Sequence, residues 1–241
     1  ILGYMQVAYN DDVVSRKLST LFNHSGIERR YSVVPDFDRT KMEADFFNEH
    51  YSATVDERLT VFKTKAIPLA IKAVDTAFEK INSSVSEFHI THLITVSCTG
   101  MSAPGIDAEL VEHFNLPNDI FRTSVNFLGC NAAFHALKIA DLITKSDDSA
   151  RVLIVCVELC TLHFQPKNNH DNLLSNTIFG DGAAAVIVTS AKYAEKIQRK
   201  GLNILGFYSM LLHKGKKLMG WNITAVNFEM VLNAKIPEFI G

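Results

Sequence analysis

Cysteine is scarce in this chain: Cys98, Cys130, Cys156 and Cys160 are the only four in 241 residues. None belongs to a C-x2-C pair, and the one close spacing is C-x3-C, so the paired ligands of a structural zinc site are missing. Four cysteines in a chain this long make no disulfide framework, which suits a reducing cytosol. An excess of either charge is missing too, with 24 Lys and Arg against 26 Asp and Glu and a net charge of −2. That excludes a surface built to hold nucleic-acid backbone or an anionic membrane. No apolar run reaches the roughly 18 residues a membrane span needs, and the candidate Val152 to Val157 is ended by Glu158. The chain opens Ile1-Leu2-Gly3 without a basic-then-apolar leader, so no signal peptide is expected and the true start is expected upstream. There is no internal repeat, low-complexity tract or evident linker.

What remains is a globular composition, 47% apolar and 21% charged. At roughly 150 residues per domain the length allows one large domain or two small ones. Helical and strand-like segments alternate throughout. Asn10 is placed to cap a helix with Val13, Val14, Leu18, Leu21 and Phe22 on one face, and Gly26 to end it. Thr54 to Glu57 has the form of a capping box before a long helix, and Pro68 inside that helix predicts a kink or break. Strands are expected at 93–96, 121–127, 151–157 and 183–189, the last two buried, with helices at 106–114 and 131–143. The segment 165–172 reads as a polar loop. Strands separated by helices of this length indicate an α/β domain with a largely parallel sheet.

The most informative local arrangement is strand, then Gly129-Cys130, then helix. A cysteine in the first turn of a helix meets unpaired N–H groups and the positive end of the helix dipole, which would lower its thiol pKa and create a nucleophile. Gly129 would let the backbone turn sharply and a substrate approach. A small, buried, inert residue is the competing reading of Cys130. Spacing nominates no histidine partner: His135 lies five residues further along the same helix, and His163 is equally readable as structural. Gly180-Asp181-Gly182 with Ala185 imitates a dinucleotide fingerprint, but a strand follows where a helix is required. Lys214, Lys216 and Lys217 read as a solvated turn.

Two longer stretches, 127–133 (Phe-Leu-Gly-Cys-Asn-Ala-Ala) and 178–185 (Ile-Phe-Gly-Asp-Gly-Ala-Ala-Ala), resemble the signatures of type III polyketide synthases. These are the chalcone-synthase-like enzymes of the thiolase superfamily. Segments 90–94, 98–100, 104–107 and 150–156 with Glu158 agree, and Met219-Gly220-Trp221 is more similar to bacterial members than to plant ones. The resemblance covers essentially the whole chain. It implies a thiolase-like α/β fold, layered αβαβα, with a mostly parallel mixed sheet flanked by helices. On it, residues 1–190 form the condensing-enzyme domain, and 191–241 begin a second, incomplete thiolase-like half. It further implies a cytoplasmic homodimer that uses coenzyme A thioesters as substrates and no metal or prosthetic group.

In the implied reaction a starter acyl group moves from coenzyme A to a cysteine, and malonyl-CoA then decarboxylates and attacks the thioester. The resemblance makes Cys130 the nucleophile and Phe179 a gate residue, with Phe228 placed on a looser match at a second gate. Cys98, Thr99, Cys160, His163 and Met219 fall at cavity positions, and Lys17 at one of the basic positions that hold the coenzyme A phosphates. Thr20 and His24 stand at two further basic positions, Ala103 at a methionine, and Cys98 and Met219 at positions that influence starter and chain length. The family's catalytic His and Asn motifs have no match in the chain. The 241 residues are therefore expected to be the N-terminal part of a longer enzyme and nearly inactive alone. A fatty-acid-priming ketoacyl synthase, a hydroxymethylglutaryl-CoA synthase and a silent acyl-CoA-binding homologue are the rival readings.

Overall fold

The computed structural model describes residues 1–38, 46–47, 52–224 and 227–240. In chain order the helices and strands are α1 (Leu2–Tyr9), α2 (Asp12–His24), α3 (Val55–Lys80), α4 (Val85–Phe88), β1 (His92–Ser97), α5 (Ile106–His113), β2 (Phe121–Asn126) and α6 (Ala132–Ser146). They continue with β3 (Arg151–Leu159), α7 (His170–Ile178), β4 (Asp181–Thr189), α8 (Ala191–Lys196), β5 (Met219–Ile223), β6 (Phe228–Leu232) and α9 (Pro237–Ile240). Two compact units share them: Ile1–Phe62 with Leu159–Gly182 and Leu211–Gly241, and Lys63–Glu158 with Ala183–Met210. No helix among the described residues is long and apolar enough to cross a membrane.

The second unit is built on a four-stranded sheet in the order β2-β1-β3-β4. Parallel neighbours need long crossovers, and α5 and α6 provide them. The β1–β2 register runs from His92 opposite Phe121 to Ser97 opposite Asn126, and β1 also pairs in parallel with β3. Ala132, Ala136 and Ala140 recur every four residues on α6 and are fully or nearly buried with Ile94, Val96, Val125, Val152 and Ile154. Alanine at each contact lets the helix backbone approach the sheet closely. The expectation of a buried strand at 183–189 is corrected: burial alternates along β4, and Val186 is 45% exposed.

In the first unit an edge-to-face aromatic cluster joins Tyr4, Phe37, Phe47 and Phe164, with Tyr4–Phe37 centroids 4.9 Å apart and Phe37–Phe164 5.6 Å. Arg58 is buried among backbone carbonyls, donating to Ala53 at 2.9 Å, to Leu162, and to Phe164 at 3.3 Å. Burial draws its guanidinium pKa down to about 10. The Thr54–Glu57 capping box forms as expected, with the Glu57 carboxylate accepting from the Thr54 N–H at 2.7 Å and the Thr54 hydroxyl from the Glu57 N–H at 3.3 Å. Three local expectations are corrected. Asp11, not Asn10, caps α2 by accepting from the Val13 and Val14 N–H groups, because Asn10 already ends α1 in the left-handed region. Helix α3 runs unbroken through Pro68. The 165–172 loop gives way to α7 at His170, capped by Asn169 accepting from Asn172.

The Gly180-Asp181-Gly182 turn is a carboxylate staple. Asp181 accepts from the Thr161 N–H at 2.8 Å, the Thr161 hydroxyl at 2.6 Å and the Val33 N–H at 2.7 Å. A Cβ on Gly180 would stand 3.2 Å from the Tyr31 carbonyl oxygen, so glycine permits that close approach.

Tyr9 offers a pH-dependent check on this unit. Its hydroxyl donates toward the Gln165 and Lys167 carbonyls, each at 3.3 Å, and accepts from Asn176 at 3.2 Å. Burial raises the phenol to about 12, against about 10 in an unfolded chain. The folded state therefore holds the proton longer, so this contribution is intact below pH 10 and is lost as pH rises from 10 to 12. It amounts to about 2–3 kcal/mol. Urea melts should show the wild type losing roughly that much more stability than Tyr9→Phe over this range, and parallel losses would refute the assignment.

Candidate active site

Sequence order brings the chemistry of the second unit to the C-terminal ends of β1, β2 and β3. Strand β1 ends at Ser97 and runs into Cys98-Thr99, β2 ends at Asn126 and runs into Gly129-Cys130, and β3 carries Cys156 and Glu158. In a parallel sheet with crossover helices this end is where loops converge and sites form.

The turn after β2 is conformationally costly. Phe127 has φ +56° and Gly129 φ +76°. A bulky residue in the left-handed region costs about 1–2 kcal/mol, and such strain concentrates where a side chain must be presented. Gly129 meets the same demand without a steric penalty, and the space where its Cβ would project is empty to 4 Å. Cys130 follows, exposed to solvent.

Glu158 organises the neighbouring loop. Its carboxylate accepts the Cys98 N–H at 2.9 and 3.1 Å and the Thr99 hydroxyl at 2.7 Å. Burial pushes its pKa up, against these donors. Its charge also disfavours the thiolate of Cys98, Cys130 and Cys156. Burial combines with Glu158 to raise Cys156 to about 11. Sequence reading names Glu158 as the end of an apolar run and as part of a matching segment but gives it no role; its signal is a lone carboxylate inside a strand that continues to Leu159.

The expectation of a thiol drawn down by a helix dipole is corrected. Helix α6 begins at Ala132 with Asn131 as its N-cap, so Cys130 lies one residue before the cap, outside the first turn where the dipole acts. Although the residue is exposed, the atoms crowding its sulfur and then Glu158 push the thiol above its ordinary value, and only its own N–H opposes them. Removing the charge should partly reverse this. Glu158→Gln retains an acceptor for Cys98 or Thr99 while neutralising the site. Alkylation of Cys130 by iodoacetamide at pH 8 is expected to accelerate about three- to tenfold. A rate equal to or below that of the wild type would show that Glu158 does not act on the thiol electrostatically. In the wild type, Cys130 should label ahead of the partly buried Cys98, Cys156 and Cys160.

In the first unit, His163 is buried and stacks on Phe228 with centroids 4.3 Å apart and planes 13° from parallel. Trp221 stands edge-on to both, at 5.1 Å from His163 and 5.5 Å from Phe228. Gln165 donates to the Phe228 carbonyl at 2.6 Å. Phe228 is thus 1% exposed and clamped by rings. Cys160 is half-buried in a short 3-10 turn, and Met219 is partly exposed at the start of β5. Phe179 ends α7 as its C-cap, its N–H bonded to the Ser175 carbonyl at 3.0 Å. Lys17, Thr20 and His24 lie along α2, where Lys17 is exposed and the Thr20 carbonyl is 2.8 Å from the His24 ring. The structure therefore joins Cys98, Thr99 and Cys130 around Glu158, joins His163 to Phe228, and places Lys17 separately on a helix surface.

Comparison with known proteins gives a consistent picture. The family model "Chalcone and stilbene synthases, N-terminal domain" matches residues 2–192. The alpha-pyrone synthesis polyketide synthase-like Pks18 of Mycobacterium tuberculosis is 27% identical over 226 residues, covering 93% of this chain and 56% of the relative. A 3,5-dihydroxyphenylacetyl-CoA synthase of Streptomyces toyocaensis is 25% identical, covering 95% and 57%. The crystal structure of PKS-I from the brown alga Ectocarpus siliculosus aligns with a TM-score of 0.86 at 27% identity, over 99% of this chain and 64% of that one. The thiolase-like α/β fold class expected from the sequence is borne out by these structures and by the sheet of the second unit. The chain spans a little over half the length of the curated relatives it matches.

Proposed function

Since this chain belongs to the chalcone and stilbene synthase family of type III polyketide synthases, we propose that Cys130 accepts an acyl group from a coenzyme A thioester and carries it through condensation with malonyl-CoA. The Cys130 sulfur attacks the thioester carbonyl, the C–S bond to coenzyme A breaks, and the coenzyme A thiol leaves with the proton. Decarboxylation of malonyl-CoA then releases carbon dioxide and yields a carbanion, which attacks the new thioester carbonyl. The C–C bond forms, the acyl–Cys130 C–S bond breaks, the Cys130 thiolate is released, and the extended acyl chain remains on coenzyme A. The observation that carries this reading is an exposed thiol presented by a turn with two left-handed residues at the end of a central parallel sheet.

The remaining roles are proposed with it. Phe179 and Phe228 gate the route to the sulfur. Cys98, Thr99, Cys160, His163 and Met219 line the acyl cavity, and Lys17 holds a coenzyme A phosphate. No metal or prosthetic group enters the scheme. The carbanion step needs hydrogen-bond donors at the malonyl thioester carbonyl. The His and Asn that the resemblance implies for this have no match in the 241 residues, so the step is proposed for a polypeptide that supplies them. Strand β2 is the sheet edge and exposes Phe121, which is suited to pairing in a homodimer. The reading places the enzyme in the cytoplasm, where coenzyme A thioesters are available.

The test is acyl loading. After incubation with a medium-chain acyl-CoA, mass spectrometry of a tryptic digest should locate the acyl mass on the peptide Thr123–Lys138, which contains Cys130. Loading from acyl carrier protein but not from acyl-CoA would move the protein to the fatty-acid-priming class. Failure to load from either, with Cys130 still alkylated readily, would favour a non-catalytic homologue.

A further inference from the structure

The loops after β1 and β2 bring the Cys98 thiol against the backbone that leads into Cys130. The strands are parallel neighbours whose last paired residues are Ser97 and Asn126, and the next N–H, that of Phe127, still bonds to the Ser97 carbonyl at 3.3 Å. Cys98 therefore leaves β1 directly beside the turn that carries Cys130. Its Sγ donates to the Gly129 carbonyl at 3.7 Å, the carbonyl bonded to the nitrogen of Cys130. Accessibility is graded: Cys130 is exposed and Cys98 only partly so.

We propose that Cys98 and Cys130 form a reversible disulfide, with Cys130 the site of first oxidation by a hydroperoxide and Cys98 the resolving thiol. The Cys130 thiolate attacks the peroxide oxygen; the O–O bond breaks, giving a sulfenic acid on Cys130 and water or an alcohol. The Cys98 sulfur then attacks the Cys130 sulfur; the S–O bond breaks, the S–S bond forms, and hydroxide leaves with the thiol proton as water. Two thiols lose two electrons in total, and one hydroperoxide is reduced. A carbonyl already in contact with the Cys98 sulfur keeps the second thiol at the reaction site, and Phe127, Leu128 and Gly129 backbone groups partly offset the burial and Glu158 charge that oppose its thiolate. Cys156, in the middle of β3, has a sulfur raised to about 11 and takes no part. This device would shield Cys130 from irreversible over-oxidation, and the inference stands on the thiol geometry whether or not acyl transfer is the activity.

The experiment treats the chain with hydrogen peroxide at pH 8, quenches with iodoacetamide and maps a non-reduced tryptic digest. The cysteines separate cleanly, because Cys98 lies on Ile81–Arg122, Cys130 on Thr123–Lys138, and Cys156 with Cys160 on Val152–Lys167. The expected product is Ile81–Arg122 joined to Thr123–Lys138 within one chain and released by dithiothreitol. In Cys98→Ser, the dimedone-trapped sulfenic acid and the sulfinic acid on Cys130 should rise at least about fivefold. Wild-type mapping decides the matter without the variant. Sulfinic acid on Cys130 without the linked pair, a link from Cys130 to Val152–Lys167, or a link only between two chains would each overturn the proposal.

Discussion

Replacing Cys130 by alanine is expected to abolish acyl loading from coenzyme A thioesters, a fall of at least about 10³-fold in the rate of adduct formation. The other thiols do not substitute for it. Cys156 is raised to about 11 and only half-exposed. Cys98 is held by the Glu158 carboxylate through its N–H and by the Gly129 carbonyl through its sulfur. Cys130→Ser should fail nearly as completely, because an alcohol is far less acidic than a thiol and, among the described residues, burial and Glu158 oppose an anion at residue 130 while its own N–H favours one. The raised thiol pKa also sets the pH profile. With burial and the Glu158 charge pushing its thiol up, Cys130 is mostly protonated at pH 7. Loading by the 241-residue chain should therefore climb with pH between 7 and 8.5, as the reactive thiolate grows. A cation brought beside the sulfur would flatten that slope, so the slope reports whether activation is intrinsic to these residues. Retention of loading in Cys130→Ala would remove the nucleophile from the mechanism.

What could be read from the sequence followed the range of the forces involved. The Thr54–Glu57 box was legible because both partners lie within one turn. The parallel strands were legible because burial on both faces leaves continuous apolar runs such as 152–157. The cap of α2 was misplaced by one residue because α1, which turns Asn10 into a helix end, has no clean apolar period of its own. Pro68 marks a break by local rules, yet the flanking turns bury Ala66 and Ala70 completely, and that packing holds α3 continuous. The pairing of β5 with β6, although local, was missed because Met219–Ile223 lacks a β-branched run. At the candidate site, Cys130 stood out as a local motif, but its acidity did not. The groups that set that acidity, above all Glu158, reach Cys130 from a different strand.

Asp181→Ala is expected to produce the largest loss of stability, about 3–4 kcal/mol, seen as a fall of roughly 8–15 °C in melting temperature. The substitution strands two backbone N–H groups, from Thr161 and Val33, and takes one of the Thr161 hydroxyl's partners. Each hydrogen bond to a charged acceptor contributes about 1.5–3 kcal/mol. Their sum overstates the loss, because burial holds the Asp181 carboxyl above the usual carboxylate range despite these donors. Part of the gain is therefore already spent on desolvation. Thr161→Val removes only the hydroxyl's bonds, to Asp181 and to Ser32 at 2.8 Å, and leaves both backbone donors paired with the carboxylate, so it should cost only about 1–2 kcal/mol. Asp181→Asn supplies one acceptor oxygen but turns an NH2 toward donors, and should fall between the two. The three variants thus have a predicted order, with Ala worst, Asn intermediate and Thr161→Val mildest. If Asp181→Ala melts within about 1 kcal/mol of the wild type, the carboxylate is not what ties residues 31–34 to the start of β4, and the glycine-flanked aspartate needs another explanation.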